Sequence, residues 1–241
     1  MLDILYRDDH LIAIDKPAGL LVHRSDIDRH ETRFAVQLLR DQIGRRVQPV
    51  HRLDRGTSGV LLFAFAAEVT RELSARFEAG EVHKTYLAVV RGWPAPAGRI
   101  EHALSPMPEP AEGAHVRGGA QAAVTDFRRL ATIELPFAVD RYPAARYALM
   151  ALTPQSGRRH QLRRHMKHIA HPIIGDATHG KGMHNRFFQQ QFDCGRMLLA
   201  AVALTLRHPV SGAPLAIRSA PGGAFADLLE RFGWAAAARA A

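Results

Sequence analysis

Six consecutive apolar residues, Val60-Leu61-Leu62-Phe63-Ala64-Phe65, follow directly on His51-Arg52-Leu53-Asp54-Arg55-Gly56-Thr57-Ser58-Gly59. So apolar a strand-like run belongs in a core. The Gly, Thr and Ser ahead of it read as a tight turn, so the loop bearing Asp54 is predicted at the lip of a buried sheet. Asp54 then has a rigid base. Flanked by the cations Arg52 and Arg55, its carboxylate is favoured in the charged form, which suits a nucleophile or an electrostatic stabiliser. A purely structural Asp54, paired with a neighbouring arginine or capping the turn, fits the same loop.

The rest of the chain supplies the sheet and its cover. Ile4-Leu5-Tyr6 and Leu11-Ile12-Ala13-Ile14, split by Asp8-Asp9-His10, predict a hairpin, closed by Asp15-Lys16-Pro17-Ala18-Gly19. Phe34, Val36, Leu38, Leu39 and Ile43 have helical spacing, with Thr32 as the cap and Gly44 as the stop. Val69, Leu73 and Phe77 recur every four positions, which makes 68–78 an amphipathic helix ended by Gly80. Strands are predicted over 84–90, 123–127, 147–152 and 197–206, and a C-terminal helix over 224–233. Residues 93–120, with Pro94, Pro96, Pro106, Pro108 and Pro110, read as a loop-rich excursion, because strands of the same character resume beyond them. The tail 235–241 reads as frayed. The fold predicted is a single α+β domain over 1–241, a mixed, mainly antiparallel sheet flanked by helices and loops around a central cleft.

Charge narrows the partners. Thirty-two Lys and Arg against 23 Asp and Glu give +9 and a pI near 10.5, and only four of those cations are lysines. Arginine's planar fork pairs with phosphate and stacks on bases, so the surface favours a nucleic acid, although a GC-rich genome accounts for arginine richness equally well. The single cysteine, Cys194, rules out an intrachain disulfide framework and fits a reducing cytoplasm. Neither a signal-peptide pattern nor an apolar run of membrane-spanning length is present, so a cytoplasmic, soluble chain is expected.

Two further segments carry chemistry. Tyr86, in Lys84-Thr85-Tyr86, is either a core or edge aromatic or a group that meets a substrate. In Gly157-Arg158-Arg159-His160-Gln161-Leu162-Arg163-Arg164-His165, a helix would put His160 with Arg164 on one face and Arg159 with Arg163 on another. One cationic row could face phosphates and the other turn inward to a carboxylate; a solvated surface is the plainer reading. His160, His165, His168 and His171 lack the His-Glu-x-x-His or Cys-x-x-Cys companions of a metal site, so no metal is expected. No Gly-Lys-Ser or Gly-Lys-Thr supports nucleotide binding, and Ser58 with His51 lacks the Gly-x-Ser-x-Gly of a serine nucleophile.

Taken in order, 51–59, Lys-Thr-Tyr at 84–86 and 157–165 resemble the RluA-type pseudouridine synthases. Asp15-Lys16-Pro17-Ala18-Gly19, His171-Pro172-Ile173-Ile174-Gly175-Asp176 and His208-Pro209 extend the resemblance over about residues 4–234. Leu21-Val22-His23-Arg24-Ser25, Arg40-Asp41-Gln42-Ile43-Gly44 and Phe232-Gly233-Trp234 are similar to the bacterial branch that makes pseudouridine at uridine 65 of transfer RNA. The resemblance implies Asp54 as nucleophile, Tyr86 packed on the target base, Arg163 paired with Asp54, and Arg52 helping to extrude the base. His51, Arg158, Arg159, Arg164 and Lys167 would bind substrate, with tRNA as partner, no cofactor and a monomeric enzyme; set beside family members that carry an extra RNA-binding domain ahead of the catalytic one, this sequence is expected to have none. Leu199-Ala200-Ala201 departs from the family's usual Leu-His-Ala. A ribosomal RNA synthase of the same family, or a non-catalytic basic RNA-binding module, remains compatible with these residues.

Overall fold

A computed structural model describes residues 1–23, 31–107 and 119–241. Arg24 and Ser25, and residues 108–118 of the excursion, lie outside the described residues. The apolar run forms β4 (Ser58–Ala64), buried along its whole length. Around it stand β1 (Asp3–Arg7), β2 (Leu11–Lys16), β3 (Gln48–Pro49), β5 (His83–Arg91), β6 (Ala97–Glu101), β7 (Val124–Leu135), β8 (Ala145–Pro154), β9 (Leu199–Arg207) and β10 (Pro214–Arg218). Together the described strands make one ten-stranded sheet in the order β1-β2-β4-β9-β5-β8-β7-β6, with β3 added to β4 and β10 to β9. Only β4 and β9 run parallel; the α+β expectation of a mainly antiparallel mixed sheet is borne out.

Alternation along the central strands explains the layers. Leu87 and Val89 of β5 point into one apolar cluster, while Ala88 and Val90 point into another on the opposite face. The first cluster is covered by α4 (Gly182–Phe192), α5 (Ala224–Arg231) and α6 (Ala235–Arg239), through Phe188, Phe225, Leu228 and the partly buried Ala238. The second is covered by α3 (Gln161–His168), through Leu162 and Met166. In the other half of the sheet, β4 sends Val60 and Leu62 toward α2 (Ala67–Glu78) and Leu61 and Phe63 toward α1 (Ala35–Ile43). Burial on both faces is why β4 shows no polar alternation.

The seam between the halves is short. β4 meets β9 over Ser58–Ala200 and Gly59–Ala201, and Tyr86 of β5 pairs with that same Ala201. Gly59 has φ +107°, and a Cβ on it would lie 2.1 Å from the Ala201 carbonyl oxygen. No other residue fits there. Close backbone approach at Gly59 thus sets the Asp54 loop and Tyr86 level with each other, two strands apart, or about 10 Å at the usual strand spacing.

Several local expectations need correction. α1 begins at Ala35 after an extended Phe34, and no side chain caps it; Leu21 and Val22 carbonyls accept from the Ala35 and Val36 amides at 2.8 and 3.1 Å, so Thr32 is not the cap. The helix in the basic segment starts at Gln161, because His160 has φ 55°, so Arg159 and Arg163 do not form a helical row. The excursion contains β6, an edge strand whose one buried residue is Ile100. The tail forms α6 and lays Ala237, Ala238 and Ala241 against the core, where a frayed end was expected.

Candidate active site

Arg163 lies between two carboxylates. Its Nη1 donates to Asp54 Oδ2 at 2.9 Å, while Nε and Nη2 form a fork on Asp176 at 2.7 and 2.8 Å. The Asp176 side chain is 0% exposed and that of Asp54 25%, so the guanidinium is anchored on its buried side and offers one donor toward the opening. Asp176 Oδ1 also accepts from the Thr178 and His179 amides, at 2.9 Å each. Burial alone would raise its pKa; the Arg163 fork and these amides outweigh it and hold the carboxyl below the usual range. For Arg163, likewise, burial opposes the charge, and Asp176 and Asp54 more than restore it.

Local geometry explains how these groups meet across more than a hundred residues of sequence. Gln161 pins the start of α3: its Oε1 accepts from Ser156 Oγ and the Arg158 amide, and its Nε2 donates to the Val124 carbonyl. Left-handed His160 then turns the chain so that its Nε2 lies 3.9 Å from Asp54 Oδ2, with Nδ1 hydrogen-bonded to His179 Nε2 at 3.0 Å. Burial, opposed by Asp54 and reinforced by Arg163, pushes His160 down to about 4, so it is a neutral neighbour of Asp54 at physiological pH. On the other side, the Asp54 loop is tied to the Asp15–Gly19 segment: Lys16 Nζ donates to the Pro17, Leu20 and Arg55 carbonyls.

Asp54, His160, Gln161 and Arg163 line a cleft of about 800 Å³ that also takes in Tyr86, Leu162 and Leu199. Tyr86 is half-buried where two apolar clusters meet, and burial, with the charge of Asp54, pushes its phenol well above the usual range. It therefore presents a protonated aromatic face. Arg52, Arg158 and Arg159 line the same cleft, and Arg158 Nε also donates to the Ala122 carbonyl at 3.3 Å. Arg164 and Lys167 do not line it; Arg164 Nη1 donates to the Ser105 carbonyl at 2.9 Å. Of the flanking cations, Arg55 pairs with Glu31 at 2.6 Å, while Asp54 has Arg163 as a cation at 2.9 Å, the pairing the resemblance implies.

His51 lines the cleft but has a structural task. Its Nε2 accepts from the Leu62 amide at 3.1 Å and its ring stacks on Phe77 at 4.7 Å, tying the loop to β4 and α2. Burial, then the Lys84 charge, pushes it down to about 3, so it carries no charge for RNA at neutral pH. Asp176 is the residue to which sequence reasoning gave no role: it stood in the segment 171–176 that carries part of the resemblance, with nothing local to show that it would meet Arg163. No group of metal-ligating side chains occurs among the described residues.

Residues 10–168 match the profile of the RNA pseudouridylate synthase family. The chain belongs to that family. It is 47% identical over 236 residues to a tRNA pseudouridine synthase C of Vibrio cholerae, spanning 97% of both proteins. A protein of the same name from Pectobacterium carotovorum is 50% identical over 236 residues, which are 97% of this chain and 63% of that one. Two solved human structures share the fold: RNA Pseudouridylate Synthase Domain Containing 1, with TM-score 0.69 and 24% identity over 92% of this chain and 84% of that one, and Domain Containing 4, with TM-score 0.68 and 24% identity over 96% and 93%. No described helix is long and apolar enough to cross a membrane.

Proposed function

We propose that this family member is a tRNA pseudouridine synthase that isomerises uridine 65, with Asp54, Tyr86 and Arg163 as its catalytic residues. The observation that carries the reading is the Arg163 guanidinium, locked on buried Asp176 and aimed at an Asp54 carboxylate that opens into a nucleotide-sized cleft. The names of the relatives from Vibrio and Pectobacterium support the choice of RNA.

The reaction breaks the bond between the ribose and N1 of uracil, turns the base and joins C5 to the sugar, with no redox step and no change in composition. It needs no cofactor. A stem uridine must first leave its helix, at a cost of a few kcal/mol, and stack against a side chain, the part we give to the Tyr86 ring. Once the base excludes water, Arg163 keeps Asp54 ionised and oriented as the nucleophile. Arg52 stands at the rim, where the base is extruded, and Arg158 and Arg159 orient the backbone without reading its bases. In this reading the enzyme works as a monomeric single domain, and its net charge of +9 and lone cysteine suit work on RNA in the cytoplasm.

The test is release of tritium from C5-labelled, unmodified tRNA. Wild-type protein should release label and an Asp54→Ala variant should not. Equal release by both would overturn the nucleophile assignment, and release from ribosomal RNA alone would overturn the substrate.

A further inference from the structure

The cleft is also lined by Val50, Ser74, Phe77 and Lys84, side chains that the proposed chemistry does not use. Lys84 is 8% exposed, and its Nζ has no hydrogen-bond or ion-pair partner among the described residues; its one contact of note is the Phe77 ring, 5.8 Å away. Lys16, the other buried lysine near the site, shows the contrast, with three carbonyls around its ammonium. The ammonium itself still meets the solvent of the cleft, and a largely buried lysine whose head has neither carboxylate nor carbonyl is a place for an anion. Glu78, exposed at the rim, makes no ion pair with it.

Lys84 and Tyr86 lie two residues apart on one face of β5, about 7 Å at the usual strand rise. That is the scale of one nucleotide. Asp54 acts on the Tyr86 phenol, whereas the Lys84 ammonium is lowered by burial alone, so Lys84 stands apart from the reacting carboxylate. His51, uncharged beside it, neither competes for an anion nor repels a cation strongly. Resting on the reading of Tyr86 as the stacking face for a flipped base, we infer that Lys84 binds a backbone phosphate next to the target uridine, on the part of the cleft wall it shares with Phe77 and His51. It is a positioning residue: the phosphate held there fixes where the base lands on Tyr86.

The test uses the full chain, an RNA hairpin containing the target stem, and a second hairpin whose phosphates flanking the uridine are replaced by neutral methylphosphonates. Lys84→Met, which keeps the length and removes the charge, should weaken binding roughly tenfold. It should also flatten the dependence of log Kd on log salt by about 0.7 to 0.9, one phosphate contact, with the loss in KM larger than that in kcat. The neutral hairpin should weaken wild-type binding to a similar extent and add nothing to the loss in Lys84→Met. A merely structural lysine would instead lower the melting temperature and leave the salt slope alone. An unchanged slope, or equal and additive losses from the protein and RNA changes, overturns the inference; if Lys84→Met fails to fold, a neutral hairpin that binds wild type normally does the same. Tritium release by the wild type is read separately, so absence of pseudouridine with a one-phosphate slope change sinks the enzymatic reading and keeps the phosphate site.

Discussion

Two carboxylates share one guanidinium, and the structure predicts opposite consequences for removing each. Asp176→Asn takes away the buried partner, which is 0% exposed and accepts the Arg163 fork and two amides. Arg163, 9% exposed, is then left with Asp54 as its one carboxylate partner among the described residues, and the amide at 176 can accept only part of its fork. Breaking a buried pair from one side costs about 3–5 kcal/mol, a large part of the 5–15 kcal/mol typical of a domain. For a chain of this size that lowers the melting temperature by roughly 6–20 °C. Asp54→Asn removes a partner that is partly solvated, and the fork on Asp176 stays, so the loss of stability is about 1 kcal/mol or less after screening. Activity divides the other way: Asp54→Asn abolishes turnover, whereas folded Asp176→Asn loses about a hundredfold through misplacement of Arg163. Thermal and urea melts followed by circular dichroism, with tritium release at a temperature where both variants are folded, measure the two quantities. A melting temperature for Asp176→Asn within about 2 °C of wild type, or equal destabilisation by both changes, would refute the argument that burial divides the roles.

Three further outcomes follow from the same contacts. Tyr86→Phe should retain RNA affinity, while Tyr86→Leu should lose stacking worth about 1–3 kcal/mol, read as the Kd of a hairpin containing the target uridine. Gly59→Ala should not accumulate as folded protein, since the added methyl overlaps the Ala201 backbone at 2.1 Å and the φ of +107° disfavours any side chain; a soluble variant with a wild-type melt would contradict this. The rings of His51, His160 and His184 are pushed from 6.5 down to about 3, 4 and 4, chiefly by burial. Their folded values lie below the unfolded one, so the unfolded chain takes up protons first as pH falls. Stability is intact above about pH 6.5 and declines toward pH 4 by up to about 1.4 kcal/mol per unit for each ring, which urea melts at pH 7.5 and 5 would detect.

Much of the site was legible because its residues are neighbours in sequence or sit beside strong local signals. Asp54 stands before the apolar run that becomes β4, and Gly59, the second residue of that strand, marks where backbones meet. Val69, Leu73 and Phe77 betray α2 by their period alone. By contrast, β6 carries one buried side chain and owes its existence to pairing with β7, and nothing within 97–101 announces that. The alanines of α6 have no marked amphipathic pattern; the core beneath them holds the helix in place. α1 starts where two carbonyls from residues 21 and 22 meet its amides, a long-range cap that no local rule for Thr32 could anticipate.

From the chain alone come the acid, the aromatic and the basic segment, because each is a residue type whose chemistry does not depend on its neighbours. Tertiary structure decided their charges and partners. It set Arg163 on Asp54 at 2.9 Å, placed His51 as a neutral ring between Leu62 and Phe77, and brought Asp176 under the guanidinium. It also left the Lys84 ammonium with neither carboxylate nor carbonyl among the described residues. Electrostatic partnership depends on distances of a few ångströms and on exclusion of water, and only the folded chain sets those.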